Sequence, residues 1–400
     1  MILGLWLIAA PDTFHFQSRP LMINNWISGA LLIALGAFAR KKPAMIWIGL
    51  MGAIGIWLQL TPVIFWAPQS AAYLNDTLIG SCVIFFVLIL YPMPERPDLE
   101  KSIPPGWTSN PSAWPARIVI AFLAFVCWMI SRYLASFQLG YIDTVWDPFF
   151  SPGTKAVLES KVSKAFPVSD AGLGAFAYTL EFFSACLGGE SRWRTAPWAV
   201  LIFGVLVIPV SLVSVVLIIL QPIAVKTWCA FCLLTALCML VGIPFAISEV
   251  AATLSFLFRS KEKPLIALLF RGGACEMASA DTTTPALDSS WRLLWKSAAS
   301  NVSAPWNLLV SILLGVSLMA APAFFSMNQV VSDVDPIAGA LSIVVSVIAM
   351  SKLIRFVHYA NCVFGIWILV QLFWLDTPLA CVYHAGIGGL LIGLCFCKQT

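Results

Sequence analysis

Apolar residues run in unbroken stretches along this chain, as in Ile46–Trp66 and Trp198–Leu220. Each stretch is long enough to cross ~30 Å of hydrocarbon at ~1.5 Å per residue. A segment inside hydrocarbon has to satisfy its backbone polar groups internally, which leaves helices or a closed barrel. The runs are continuous rather than alternating, so they predict helices. The pattern gives an all-α, polytopic integral membrane protein of about 12 transmembrane helices. Four of them are expected near the centre, at 116–134, 169–186, 197–220 and 226–257. Polar segments rich in Pro, Ser and Thr, at 93–115 and 259–303, set these four apart.

The ends of the chain repeat one unit. Gly4-Leu-Trp-Leu-Ile-Ala-Ala-Pro11 returns as Gly55-Ile-Trp-Leu-Gln-Leu-Thr-Pro62 and as Gly315-Val-Ser-Leu-Met-Ala-Ala-Pro322. A weaker copy is Gly365-Ile-Trp-Ile-Leu369. About 25 residues after each first glycine stands a second, in a helix that opens with a polar residue. The polar residue and glycine are Asn25/Gly29, Asp76/Gly80, Asp335/Gly339 and His384/Gly388. A period of about 50 residues suits a two-helix hairpin. The pattern resembles the SPW-repeat membrane family, and Ala304-Pro305-Trp306 stands where its name-giving tripeptide would be. That resemblance implies architecture and little chemistry. The expected organisation is two repeats in 1–95, a linker at 96–115, a four-helix bundle at 116–258, a linker at 259–303 and two further repeats in 304–400. Only three residues precede Gly4, so either the first helix is short or the true start lies upstream. The opening Met1-Ile-Leu-Gly-Leu-Trp6 lacks a basic stretch and a cleavage signal, and reads as a membrane helix.

Composition sharpens the picture without changing it. Hydrophobic residues make up 60% of the chain and charged residues 10%, against about a quarter charged in soluble domains. A net charge of +4 gives no reason to expect nucleic acid. The placement of Lys and Arg is more informative. With both termini on one side, all but six of the 23 fall on that side. The six are Arg19, Arg132, Lys155, Lys161, Lys164 and Lys226. The positive-inside rule makes the richer side cytoplasmic. The segment 135–168 and the stretch 221–228 are then expected at the outer face of a cell membrane.

Candidate chemistry starts with eleven cysteines. Trp228-Cys229-Ala230-Phe231-Cys232 opens a helix at the expected outer face. Residues three apart share a helical face, so the two sulfurs can meet. A helix N-terminus favours thiolate, which a reactive dithiol needs. The other cysteines are read as packing residues or free thiols. His15, His358 and His384 share no ligand spacing, so no metal is expected. No phosphate loop, dinucleotide fingerprint or nucleophile elbow occurs.

The central region resembles the vitamin K epoxide reductase family. The resemblance rests on Gly153-Thr-Lys-Ala-Val-Leu-Glu-Ser160, Phe166-Pro-Val-Ser-Asp-Ala-Gly-Leu-Gly174, Arg192-Trp-Arg-Thr-Ala-Pro-Trp198 and Trp228-Cys-Ala-Phe-Cys-Leu-Leu234. It implies a membrane thiol–disulfide oxidoreductase. Cys232 would face a membrane quinone (ubiquinone or menaquinone), and Cys229 would exchange with an outside thiol, such as an external thioredoxin-fold protein. Asp170, Tyr178 and Trp228 would stand around the quinone. For Asp170 the residue pattern alone leaves a helix N-cap open. Glu181, in an apolar helix, is a further candidate, with pairing to Arg192 or Arg194 as its structural alternative.

The chain departs from the family pattern in the loop between the first and second helices, where typical members carry a second cysteine pair. No cysteine occurs from Trp128 to Ala185, and Thr154 stands where one would be. A catalytically degenerate quinone-binding or scaffold protein is therefore the alternative expectation. A transporter is disfavoured, because the repeats flank an inserted bundle and few ionisable groups fall at mid-membrane.

Overall fold

The computed structural model describes residues 1–41, 45–90, 101–259, 264–273, 275, 278–375 and 377–397. Lys42, Arg96, Lys261, Lys263 and Lys398, used above for orientation, lie outside the described residues, as do 91–95 of the first region and 96–100 of the first linker.

The N-terminal region is two helical hairpins, α1 (Ile2–Thr13) with α2 (Arg19–Lys41) and α3 (Met45–Ile64) with α4 (Ser70–Leu90). The central bundle is built from α5 (Trp114–Gln138), a short α6 (Gly153–Glu159), α7 (Asp170–Cys186), a short α8 (Arg192–Thr195), α9 (Pro197–Leu220) and α10 (Ala230–Arg259). Two short linker helices follow, α11 (Leu265–Arg271) and α12 (Trp291–Ala298). The C-terminal hairpins are α13 (Trp306–Phe324) with α14 (Gln329–Ile348) and α15 (Ala360–Val370) with α16 (Pro378–Phe396). A two-stranded antiparallel ribbon, β1 (Ser102–Ile103) with β2 (Ser279–Ala280), ties the linkers together.

Ten helices among the described residues are long and apolar enough to span a membrane. These are α2, α3, α4, α5, α9, α10, α13, α14, α15 with its flanking 3-10 turns, and α16. The shorter α1 and α7, with 12 and 17 residues, pack among them. The fold is an all-α, multi-pass membrane protein. Its many apolar side chains on outward faces, such as Phe122, Val205 and Leu313, have the surface that lipid requires.

The repeat glycines have a direct structural reason. In each hairpin the two glycines meet face to face. A methyl group placed on Gly29 would lie 2.6 Å from the Gly4 carbonyl oxygen, and one on Gly80 would lie 2.7 Å from that of Gly55. The same approach recurs at Gly315 against Gly339 (2.7 Å) and Gly365 against Gly388 (2.8 Å). Helices in lipid gain little by hiding apolar surface from each other, so close backbone approach through small residues is a main source of their attraction.

The polar residues one turn before the second glycines meet as well, but across hairpins. Asn25 Nδ2 donates to Asp76 Oδ2 at 3.1 Å, joining the first hairpin to the second. His384 Nε2 lies 3.0 and 3.2 Å from the Asp335 carboxylate oxygens, joining the third to the fourth. All four residues are buried.

The central bundle is closed by α5 against α7 and α10, with α9 against α7 and α10. At one end its polar lock is Arg192, whose guanidinium meets Glu249 through Nε and Nη2 at 2.6 Å each. Arg117 caps the end of α7 by donating to the carbonyls of Ala185 (2.8 Å) and Leu187 (2.8 Å). The alternative that Glu181 pairs with Arg192 is thus corrected. Arg192 is taken by Glu249, while Glu181 is buried and its Oε2 has no hydrogen-bond partner among the described residues.

At the other end the loops of all three regions come together. Trp66 Nε1 donates to the Pro167 carbonyl at 2.9 Å, and the Tyr141 hydroxyl donates to that of Ala67 at 2.6 Å. Lys226 meets Asp333 of α14 at 3.2 Å.

Candidate functional site: a disulfide at the head of α10

The turn between α9 and α10 sets the site. Helix α9 ends in one π turn, Gln221–Val225, and Lys226 then takes a left-handed backbone with φ 61°. The chain reverses there, so α10 begins at Ala230 and not at 226 as the apolar pattern suggested. Cys229 and Cys232 are joined by a disulfide, with their Cα atoms 5.2 Å apart. The Cys229 carbonyl accepts the Leu233 N–H at 3.0 Å, so the first cysteine is the residue from which the helix starts. The Cys232 N–H points at Cys229 Sγ, 3.1 Å away. Backbone N–H groups at a helix start stabilise negative charge on a nearby sulfur. Gln221 fixes the entry by accepting the Cys229 N–H at 2.9 Å.

The two sulfurs have different surroundings. Cys229 is 0% exposed. The segment 139–169 folds over it, with α6 packed against the head of α10. Gly153 presses on the Trp228 carbonyl so closely that no side chain would fit. Asp147 holds this cover in shape by accepting the N–H groups of Phe149 (3.1 Å), Phe150 (2.8 Å) and Thr154 (2.7 Å). Slight burial pushes the Asp147 carboxyl upward, but these hydrogen bonds outweigh it and hold the group below the usual carboxylate range. Thr154 is fully buried in this cover.

Cys232 opens instead into a cavity of about 340 Å³ between α5, α7, α9 and α10. Its walls are mainly apolar, and Asp170, Tyr178, Ser163 and Thr235 supply polar groups. Ser169 is the N-cap of α7, accepting the Gly172 N–H at 2.9 Å. Asp170 is the next residue, and its carboxylate accepts from Gln138 Nε2 (2.6 Å), Ser163 Oγ (2.8 Å) and its own helix at Ala171 N (2.7 Å). The N-cap alternative for Asp170 is thereby corrected to its neighbour. The Tyr178 hydroxyl lies beside Ser214 of α9.

Of the five residues singled out in the sequence, Cys232, Asp170 and Tyr178 line one cavity, and Cys229 lies behind it under α6. Trp228 faces elsewhere. It lines a second, almost wholly apolar cavity of about 370 Å³ between α9 and α10 on one side and α13 and α14 on the other. Three residues that hold the site were not singled out in the sequence. Gln138 and Gln221 are polar residues at helix ends and Ser163 stands in a polar loop, all places where such residues are common, and only the folded loops bring them to the cysteines and Asp170.

These features define a class: a membrane helical bundle with a disulfide at one helix head and one of its cysteines lining a cavity between the helices. Comparison with known families agrees. The family model for the vitamin K epoxide reductase family matches residues 118–247, and the SPW repeat domain model matches residues 1–90. The chain thus carries a vitamin K epoxide reductase family domain at its centre and an SPW repeat domain at its start. No curated protein and no solved structure matches the chain.

Proposed function

We propose that this protein is a quinone-dependent dithiol oxidoreductase of the cell membrane, with both termini cytoplasmic and Cys229 and Cys232 near the outer face. The observation that carries the reading is the asymmetry of the pair, with Cys232 open to a cavity and Cys229 turned toward the loop cover. The cavity volume of about 340 Å³ is in the range that suits a small ring. Its apolar walls suit an isoprenoid quinone, and Asp170 and Tyr178 supply polar groups for a ring oxygen.

In this reading an external dithiol protein of thioredoxin fold reduces the pair. Its thiolate attacks Cys229 Sγ, the Cys229–Cys232 bond breaks, and the partner's second thiol releases Cys229 by closing its own disulfide. The reduced pair then re-forms its S–S bond. Two electrons and two protons leave for the quinone, which becomes quinol. The buried position of Cys229 means that the cover 139–169 has to swing aside for the first attack. Asp147, which ties Phe149, Phe150 and Thr154 together, makes that cover one unit.

A second reading is favoured by two observations. Cys229 is fully covered, and no cysteine lies between Trp128 and Ala185 to carry electrons through the cover. A protein that kept the cavity and lost turnover would look the same.

The test is quinone reduction by the purified protein in lipid discs, with a reduced thioredoxin-fold protein or dithiothreitol as electron donor. Maleimide labelling, mapped by mass, follows Cys229 and Cys232. Turnover in the native chain that disappears in Cys232→Ser is expected. Turnover that survives Cys232→Ser refutes the assignment. Quinone binding without thiol oxidation selects the second reading.

A further inference from the structure

The two hairpin pairs solve one packing problem with different chemistry, and the difference points to a proton. In the N-terminal pair, Asp76 sits among donors that carry their hydrogens at any pH. Asn25 and Thr61 donate to its Oδ2 at 3.1 and 3.3 Å, and Asn75 donates to its Oδ1 at 3.1 Å. An ionised carboxylate accepts all of these without help.

The C-terminal pair differs at the same place in the repeat. His384 Nε2 faces Asp335, at 3.0 and 3.2 Å from the two carboxylate oxygens. His384 Nδ1 faces the Ala380 carbonyl at 2.9 Å. A neutral imidazole has one N–H, yet both ring nitrogens here face oxygens. A carbonyl only accepts. Both contacts are hydrogen bonds only if the pair holds one proton more than a neutral imidazole and an ionised carboxylate carry between them. That proton sits either on the ring, giving imidazolium against carboxylate, or on Asp335, giving a carboxylic acid that donates to Nε2. Either form leaves the pair with no net charge.

Burial makes the extra proton matter. His384 and Asp335 are both 0% exposed. Without the proton, one negative charge and one unmatched nitrogen would remain inside the helix packing, and low-dielectric surroundings penalise both. The other ionisable groups nearby do not supply a compensating cation. Tyr383 is next in the chain, its ring centroid 5.3 Å from that of His384, and its hydroxyl bonds Ser317 of α13. Asp333, two residues before Asp335, is half-exposed and taken by Lys226. Among the described residues, α13 and α15 contribute no charged side chain to this contact.

We propose that Asp335 and His384 form a membrane-buried proton-binding site that holds one exchangeable proton between the third and fourth hairpins. The N-terminal pair is the internal control. Asn25 shows that a plain amide donor suffices to close the same joint, so histidine at position 384 adds proton exchange to a contact that does not need it. Loss of the proton leaves the uncompensated charge described above, which couples proton release to loosening of the third hairpin against the fourth.

The experiment is spectroscopy on the full-length protein in lipid discs near neutral pH, with ring-¹⁵N histidine. His384 is assigned from the signal lost in His384→Asn. Exposed His15 is the internal reference. The expected result is one of two signatures: a doubly protonated His384 ring beside an ionised carboxylate, or a singly protonated ring with a protonated carboxyl band in the infrared that disappears in Asp335→Asn. A singly protonated ring beside an ionised carboxylate would overturn the proposal. His384→Asn is expected to fold, because it copies Asn25. If it does not, selective ¹³C labelling of the Asp335 carboxyl in the native chain, read together with the ring-¹⁵N signals, decides the matter: a proton on either group supports the site, and a proton on neither overturns it.

Discussion

The first hairpin pair and the last are built to one plan, and they differ in how much polar structure surrounds the same joint. In the first, the Asp76 carboxylate gathers Asn25, Asn75 and Thr61, and the Trp6 indole extends the set by donating to Asn75 Oδ1 at 2.8 Å. In the last, Asp335 has His384 alone among side-chain donors in the described residues. Both pairs keep the glycine contacts that bring backbones together within each hairpin. The lesson is a division of labour. Glycine packing makes a hairpin, and it tolerates no variation. The buried polar joint links one hairpin to the next, and its chemistry is free to change.

The largest effect that would test this division is on the glycines. Gly29→Val and Gly339→Val should each destabilise by about 3 kcal/mol, because the added carbons run into backbone rather than into a flexible side chain. Unfolding free energies in mixed micelles measure this. Equal loss in the two halves is expected, since the carbonyl contact is the same in both. A loss well under 1 kcal/mol at either site would mean that the helices separate at little cost, and that the close approach is not what holds the hairpin.

The polar joints should break unequally. Asp76→Ala removes one acceptor each from Asn25, Asn75 and Thr61, which keep contacts to Leu21 O, Asn25 Oδ1 and Leu58 O, while Asp335→Ala removes one from His384. Orphaning a buried polar group costs roughly 1–3 kcal/mol, but hydrogen bonds between membrane helices average only about 0.6 kcal/mol. At the membrane figure, three lost contacts give about 2 kcal/mol and one gives under 1 kcal/mol. Thermal or urea unfolding of the two variants side by side checks the order. A larger loss from Asp335→Ala would reverse the comparison, and would show the histidine contact to be stronger than an ordinary hydrogen bond.

Much of this plan could be read from sequence because its determinants are local and repeated. Unbroken apolar runs gave the helices, and a glycine recurring about every 25 residues gave the hairpins. The polar residue before each second glycine was also visible. Its partner was not, because Asn25 and Asp76 belong to different hairpins and are brought together only by packing of α2 against α3 and of α1 against α4. The cysteine pair was legible for the same local reason, a three-residue spacing at a helix head. That the aromatic, acidic segment Tyr141–Phe150 would lie as a lid over the central bundle was an expectation of the sequence, but the seating of the cover on Cys229 was not legible. It depends on Gly153 meeting Trp228, 75 residues away, and on Asp147 gathering the N–H groups of Phe149, Phe150 and Thr154 into one turn, contacts that no periodicity records. Trp228, next to Cys229 in the chain, does not share the cavity that Cys232 lines. A residue beside a cysteine in the chain turns, one position earlier, to the opposite side of the helix head and into the second cavity.

The smallest effect separates glycines that pack from glycines that do not, within one helix. On α16, a methyl group added at Gly388 would sit 2.8 Å from Leu369 Cγ and 2.9 Å from the Gly365 carbonyl oxygen, whereas nothing lies within 4 Å of one added at Gly386 or Gly393. An exposed glycine inside a helix costs up to about 1 kcal/mol relative to alanine, through backbone freedom lost on folding. Gly386→Ala and Gly393→Ala should therefore each stabilise by a few tenths to about 1 kcal/mol. Gly388→Ala gains the same propensity and loses more to the clash, so its net effect should be destabilising. Three single variants, one unfolding assay and a shared helix remove most other sources of difference. If all three shift stability in the same direction, position along α16 rather than contact with α15 governs the response, and the glycine repeat would have to be explained by something other than close packing of the two helices.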